Sequence, residues 1–440
     1  MFQTQAGIYA KKLSRMIQIE TVSSEKQKDK TKFYRFHELL TELFPHIFAV
    51  CETEDFDGSL LMRWKGEGTE EPILLMNHHD VVEASGNWTH EPFSGEIAGG
   101  KVWGRGALDT KGGLWAMLQA ADELAEKGYV PKRDIYFMST CNEECDGSGA
   151  DTISRALKHR GIHFYLVLDE GGMILDEPID GANGTFAIVG IGEKGCADLK
   201  FIARSSGGHA STPGKNTPLV RLGKFMQETE KQNLFKAEIS PAVAATFEKL
   251  ASAMRGPMKY LLSHPCLFSP ILKKAIPCFS NTAGAMLKTT IAFTMAGGSE
   301  GMNVLPHEAW VIGNMRYSHH QGRERSFRTI IRLAKKYDIE TVILNSGFDS
   351  VLSDHKSEAF HCIENAVSAT FDSNIKTTPY VMTAASDSRY LSRVCSNCFR
   401  FTPFHITQAQ LESIHGINEN VDIKALAPAV RFYQYIMTEI

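Results

Sequence analysis

Several things are scarce in this chain, and each scarcity excludes something. Charge of one sign comes first: 47 Lys and Arg against 51 Asp and Glu leave a formal net charge of -4 over 440 residues. There is no basic excess to meet nucleic acid or an anionic membrane, so neither is expected as a partner. Long apolar runs are also missing. No stretch approaches the roughly 20 consecutive apolar residues that cross a bilayer. The first twenty residues lack the basic-then-apolar order of a secretory signal. The nine Cys are odd in number and scattered, which fits a reducing compartment better than a disulfide framework. The cytoplasm is therefore the expected location. Internal repeats and low-complexity tracts are not found.

What remains is ordinary globular material. Hydrophobic residues make up 43% and charged residues 22%, the balance of a soluble globular protein. At 440 residues the chain exceeds one ordinary core, so two domains are expected. Its 16 His are numerous and mildly favour metal chemistry.

The segment 73–113 organises the rest. The apolar run Ile73 to Met76 reads as a buried strand of a parallel sheet and gives way to Asn77-His78-His79-Asp80. A Gly-rich passage follows, closing on Gly104-Arg105-Gly106-Ala107-Leu108-Asp109-Thr110-Lys111, with a helix from about Gly113 to Lys127. The region from Asp134 to Thr140 is again strand-like and runs into Cys141-Asn142-Glu143-Glu144. A helix over about Ala150 to Arg160 and an apolar strand from Phe164 to Leu168 come next, and the strand ends in Asp169-Glu170-Gly171-Gly172. Amphipathic helices are expected earlier, over 3–17 and Thr31 to Phe44. Strand and helix alternate, so a βα pattern with a parallel sheet is expected. Each strand delivers acids or His at its carboxyl end, where open α/β sheets build their sites.

Near Gly195 the character changes. Ala197, Leu199, Phe201 and Ala203 alternate with polar residues, the mark of a half-exposed strand. A helix over Thr217 to Gln232, strands over Thr289 to Met295 and Glu308 to Arg316, a helix over Arg323 to Lys336 and a strand near Thr341 to Leu344 make an α+β insert. Residues 236–288 are irregular and helix-prone. From about Asp349 the first rhythm returns.

Two zinc ions side by side need His and carboxylate ligands, one carboxylate bridging. His78, Asp109, Glu144 and Asp169 stand at successive loop starts, and His415 lies late in Ile414-His415-Gly416-Ile417-Asn418-Glu419. A lone His is usually a satisfied core or surface residue, and Asp-Glu-Gly is often a turn. The combination carries the signal, because consecutive parallel strand ends converge on one sheet edge.

These residues also resemble a known family. HHDVV, GRGALDTKGG, NEE before Gly147-Ser148-Gly149-Ala150, LDEGG and IHGINE resemble the motifs of the dizinc peptidases that include aminoacylase, carboxypeptidase S, acetylornithine deacetylase and succinyl-diaminopimelate desuccinylase. The resemblance covers nearly the whole chain and extends to SGGHAS, MNVLP and SDSRYL. SHPCLFSP and TTIAFTMAGG are most similar to the carboxypeptidase S and N-acyl-amino-acid hydrolase branch. The fold this implies is α/β: a zinc-peptidase-like catalytic domain, residues 1–195 and 347–440, with a mixed, mainly parallel sheet between helices. An inserted α+β, ferredoxin-like domain, residues 196–346, serves as a lid and in many relatives as a dimerisation surface, so a homodimer through the lid is implied.

Carried over residue by residue, the resemblance assigns one zinc to His78 and Asp169 and the other to Glu144 and His415, with Asp109 and a hydroxide bridging. Cobalt or manganese can replace zinc in vitro. Asp80 orients His78, Glu143 is the general base, and the Asp109–Thr110 peptide is cis. In a regular strand Glu143 and Glu144 face opposite ways, so both reach one site only if the strand has ended before them. His209, Asn303 and Arg316 match substrate-contacting lid positions, and Arg389 is a further candidate; the planar fork of Arg suits a carboxylate. The implied substrate is an N-acyl amino acid or short peptide with a free carboxylate, cleaved at its amide. An exopeptidase or deacetylase of another substrate class, and a catalytically silent binding protein of the same fold, are the alternatives. Asn142, Ser386 and Ile417 depart from the family pattern without removing a ligand. Cys395 and Cys398 read as two buried cysteines and not as a zinc knuckle.

Overall fold

The computed structural model describes residues 4–24, 27–179, 181–231 and 234–440. The helix ends expected at residue 3 and at Gln232 lie outside them. Ile73–Met76, Ile135–Ser139 and Leu166–Asp169 are buried from end to end, as parallel strands covered on both faces are. Side by side, Ile135–Ser139, Ile73–Met76, Leu166–Asp169 and Cys398–Arg400 run parallel. Antiparallel strands flank them. The hairpin Cys51–Phe56 and Ser59–Trp64 joins one side, and Thr185–Glu193 joins the other. Among the described residues this sheet has ten strands.

Alternate residues of the central strands serve two cores. Leu75, Phe137 and Leu168 pack with the helices Gln5–Ile17, Thr31–Leu43, Lys111–Glu126, Glu358–Thr370 and Ile423–Glu439. Leu74, Met76, Met138 and Val167 pack with Ser148–His159 on the opposite face. Because the four central strands are parallel, their carboxyl ends open on a single edge, and the loops that follow them meet there. The helix after Asp109 begins at Lys111, two residues before the expected start. Positions 112 and 113 of its first turn can hold only glycine: a Cβ on Gly112 would lie 2.1 Å from the Ala107 carbonyl oxygen, and one on Gly113 2.2 Å from Asn77 Oδ1.

The insert is an antiparallel sheet in the order Thr290–Gly297, Glu308–Tyr317, Gly195–Arg204, Glu340–Asn345. With helices Pro218–Lys231 and Arg323–Lys336 it runs β-α-β-β-α-β, the ferredoxin-like arrangement. Leu199, Phe201, Val311 and Met315 meet Leu222, Phe225 and Ile330 in its separate core.

The stretch expected to be irregular, 236–288, contains four helices: Pro241–Ala251, Gly256–Ser263, Ser269–Phe279 and Asn281–Leu287. The 196–346 boundary assigns them to the lid, but they pack elsewhere. Val243, Phe247, Leu262 and Met286 form a small core that takes in Ile179 and Tyr380 of the first domain. Thr246 Oγ1 donates to the Pro379 carbonyl at 2.8 Å. The outer strand Lys376–Met382 has an apolar flank to cover, and these helices cover it. Among the described residues no helix is long and apolar enough to cross a membrane.

Candidate metal centre

Asn77, His78, His79 and Asp80 leave the strand Ile73–Met76 fully buried. His78 Nδ1 sits 2.9 Å from the Asp80 carbonyl oxygen and 3.4 Å from its Oδ1. This fixes the ring so that Nε2 reaches to 3.0 Å from Asp109 Oδ1. Asp109 lies on the loop before the helix Lys111–Glu126, and the Asp109–Thr110 peptide is cis. Thr110 Oγ1 donates to Asn77 Oδ1 at 2.8 Å, tying that loop back to the strand end.

The loop of His415 arrives from the far end of the chain. His415 has φ 59°, a left-handed residue in the turn between helix Gln408–Ser413 and strand Asn420–Asp422. Its Nε2 lies 3.1 Å from Asp109 Oδ2 and 3.1 Å from the Glu144 carboxylate. Two buried side chains clamp this loop to that of Asp109. Glu419 Oε1 accepts the N–H groups of Leu108 (2.8 Å) and Asp109 (3.1 Å). Arg105 donates to Glu419 Oε2 at 2.8 Å and to the Gly416 carbonyl at 2.7 Å.

Glu143 and Glu144 follow a strand that ends at Ser139, so strand alternation no longer separates them. Asp80 draws both inward. Its carboxylate accepts the N–H of Glu143 and of Glu144, each at 3.1 Å, and the Ser23 hydroxyl at 2.6 Å. Asp80 thus sets the His78 ring and the turn of both glutamates. Glu144 joins Asp109 and His415, while Glu143 turns to the Arg389 guanidinium, 3.7 Å away. Asn142 holds the same turn: its side chain takes the Gly149 N–H and donates to Asp146.

Burial is the first cause of charge perturbation here. It raises the carboxyls of Glu143, Glu144 and Glu170, and neighbouring acids push them further. Burial would also raise Asp109, but hydrogen bonds with His415 and His78 hold it below the usual range. Hydrogen bonds with Asp109 and Glu144 lift His415 to about 10. His78 rises as well, although burial alone would lower it, because Asp109 and Asp80 face its two nitrogens. The imidazoles are drawn to the charged form as counter-charge for crowded acids. Buried carboxylates in that state call for a cation. His78, Asp109 and Glu144 each offer one donor atom, all within 4.8 Å of one another. Imidazole nitrogen and carboxylate oxygen are donors that zinc takes, so the residues present fit a divalent metal.

Asp169 stands at the same edge with both oxygens engaged, Oδ1 by the Glu170 N–H and Oδ2 by the Ser388 N–H, each at 2.8 Å. Its neighbour Glu170 feels the charges of Asp109, Asp169 and Glu144. Sequence reasoning passed over Glu170, Arg105 and Glu419. The signal for two of them was an acid inside a motif already noted, LDEGG and IHGINE; Arg105 had only its place in GRGALD. The lid candidates lie apart. His209 and Asn303 are exposed neighbours, joined where Gly208–His209 pairs with Val304–Leu305. Arg316 is half-buried in the lid sheet, its Nε donating to Asn314 Oδ1 at 3.1 Å. Arg389 lies within reach of the centre, its guanidinium 3.7 Å from Glu143. Cys395 and Cys398 are both buried.

Residues 74–439 match the family model described as peptidase family M20/M25/M40. The chain is 29% identical to the human "N-fatty-acyl-amino acid synthase/hydrolase PM20D1", covering 94% of this chain and 84% of that protein. It is 30% identical to "Probable carboxypeptidase S-like 2" of Dictyostelium discoideum, over 97% and 84%. Carboxypeptidase S of Saccharomyces cerevisiae is 26% identical over 97% and 83%. Among solved structures, the M20 family metallo-carboxypeptidase Sso-CP2 of Sulfolobus solfataricus superposes with a TM-score of 0.72 at 16% identity, over 98% of each chain. Human carnosine dipeptidase 1 gives 0.69 at 13% identity, over 99% of this chain and 96% of that one. These two likenesses concern the fold.

Proposed function

The chain belongs to peptidase family M20/M25/M40, a family of metal-dependent amide hydrolases, and from that membership we propose that it is a two-zinc enzyme acting on an N-acyl amino acid or a short peptide with a free carboxylate. The observation that supports this most is the meeting of His78, Asp109, Glu144 and His415 at one sheet edge, with Glu143 beside them and outside the set. His78 with Asp169 would hold one ion and Glu144 with His415 the other, Asp109 lying between them; Glu170 competes with Asp169 for its place. Zinc, when bound, supplies Lewis acidity toward a carbonyl and toward water.

The rest of the work falls to side chains. Glu143, its carboxyl raised by burial, is the base that takes a proton from the attacking water and returns it to the leaving nitrogen. Asp80 is a positioning residue: it sets the His78 ring and the Glu143–Glu144 turn. The guanidinium of Arg389 faces Glu143 and favours its charged, proton-accepting form. On the lid, Arg316 would bind the substrate carboxylate through its fork, with His209 and Asn303 closing over the scissile group.

The catalytic domain would comprise 1–195 and 347–440, and the lid 196–346 without the four helices of 241–287. The lid would move on substrate binding, and a homodimer through it is the proposed assembly. A reducing, cytoplasmic setting is supported by nine unpaired cysteines. Assay of N-acyl amino acids and dipeptides with zinc, cobalt and manganese tests the chemistry. Metal content should approach two ions per chain, fall in one of Asp169→Asn and Glu170→Gln, and identify the ligand by which. Protein that stays metal-free under saturating zinc would sink the reading.

A further inference from the structure

The lid sheet leaves the first domain at Gly195, and the chain returns from its last strand through Asp349-Ser350. The two connections touch, Ser350 Oγ accepting the Glu193 N–H at 3.2 Å. Beside them lies a pocket of about 400 Å³. Gly195, Asp349 and Ser350 line one side of it, and lid residues between Tyr317 and Arg328 line the other.

Three features of this pocket suit an anion. The helix Arg323–Lys336 starts in it, and Gly322 at the N-cap has no side chain to bond the N–H groups of the first turn. Such groups, with the helix dipole, attract negative charge. Next, Arg325 and Arg328 stand three residues apart on one helix face, and neither has an ion-pair partner among the described residues. The acids in the lining, Glu324 and Asp349, both engage Arg323 instead, at 3.9 Å and 3.4 Å. Third, Gln321 lines the pocket at 7% exposure, and its carboxamide makes no hydrogen bond among the described residues. Buried amides are ordinarily bonded, so this one calls for a partner the chain does not supply. Positive charge also reaches the pocket from the first domain: after burial and His320, Arg400 and Lys194 lower the pKa of His319 in the lining.

Two guanidinium forks and a helix N-terminus can be met at once by a phosphate group, whose three terminal oxygens outnumber the two of a carboxylate. Phosphate alone would leave most of the volume open, which falls within the range of about 300–1,000 Å³ that takes whole small-molecule ligands. We propose that this pocket binds a small phosphate ester, and that the bound ester braces the lid against the first domain. The site is separate from the metal centre and does not depend on the amide-hydrolase reading above.

Calorimetric titration of the metal-loaded protein with glucose 6-phosphate, inorganic phosphate and glucose tests the site. Both phosphate compounds should bind and glucose should not. Arg325→Ala with Arg328→Ala, at exposed positions, should weaken binding of the ester at least about tenfold. Gln321→Leu, close in size but without the amide, should weaken it about threefold to tenfold. Lys335→Ala with Lys336→Ala removes the same charge at the far end of the helix and should leave binding unchanged. Absence of binding by either phosphate compound overturns the proposal, and so does binding that the arginine and Gln321 variants leave intact, which would put the phosphate at the metals or elsewhere. Equal weakening by the arginine and lysine variants would reduce the site to diffuse surface charge, and malonate bound more tightly than phosphate would overturn the ligand class. For the brace, hydrogen exchange of the amides at 193–195 and 347–350 should slow when the ester binds the wild-type protein. Exchange that stays the same while the ester is bound overturns the brace.

Discussion

At the carboxyl edge of the central sheet, contacts of 3.0–3.1 Å link His78 to Asp109, Asp109 to His415 and His415 to Glu144. On the lid, His209 and Asn303 are exposed, and Arg316 donates to Asn314 of its own sheet. The two regions differ in what holds their side chains. The centre is fixed by neighbours that are themselves buried: Asp80 grips His78 and both glutamate N–H groups, and Arg105 with Glu419 joins the Asp109 and His415 loops. The lid residues have no comparable support. One end is preorganised; under the proposed function, the other would be completed by movement or by a second copy.

Breaking the rigid end should have the largest effect. Glu143→Gln removes the base while leaving the ligands, so kcat should fall about 10²–10⁴-fold with metal content unchanged. Near wild-type turnover would exclude its role. Asp80→Asn should loosen His78 and the glutamate turn together, costing about 10–100-fold in metal affinity by competition with a chelator; unaltered affinity would mean the ring is held some other way.

The lid end should give a smaller, more selective effect. With one N-acyl amino acid, the free acid should outrun its primary amide by roughly tenfold in kcat/KM, and Arg316→Ala should erase most of that preference while sparing the metals. Equal acid-to-amide ratios in both proteins would shift the anchor to Arg389. The smallest effect is expected at the junction of the two regions. Burial, His320 and the charges of Arg400 and Lys194 lower His319 from 6.5 to about 4. The unfolded chain therefore binds the extra proton between those values, and stability falls as pH drops through that window. His319→Gln should make the decline in Tm from pH 6.5 to 4 shallower by calorimetry. Parallel declines would show that His319 is not held neutral in the folded state.

Legibility followed local signal. Ile73–Met76, Arg323–Lys336 and the lid strands carry clear periodicity, and their observed bounds lie close to those expected. Cys51–Phe56, acidic and mostly exposed, has no apolar alternation to betray a strand. Thr185–Glu193 contains two glycines in a strand shaped by its neighbours on three sides. The helices of 241–287 could be sensed as helix-prone, yet their partner could not, because an apolar helix face looks the same whichever surface it covers.

Read alone, the sequence determined the order of elements and the donors at their ends. An apolar run followed by His or acid is a local pattern, and parallel neighbours must bring such ends to one edge. The tertiary structure decided the rest. Glu419 lies more than three hundred residues from the Leu108 and Asp109 N–H groups it holds. Likewise Asp80 reaches the Glu143–Glu144 turn on the neighbouring strand's end, and the helices of 241–287 pack with Ile179 and Tyr380 of the first domain. Buried charges must find partners wherever the fold brings them, and apolar faces must find cover. Neither demand names its partner in the sequence, so both are met only when the chain has folded.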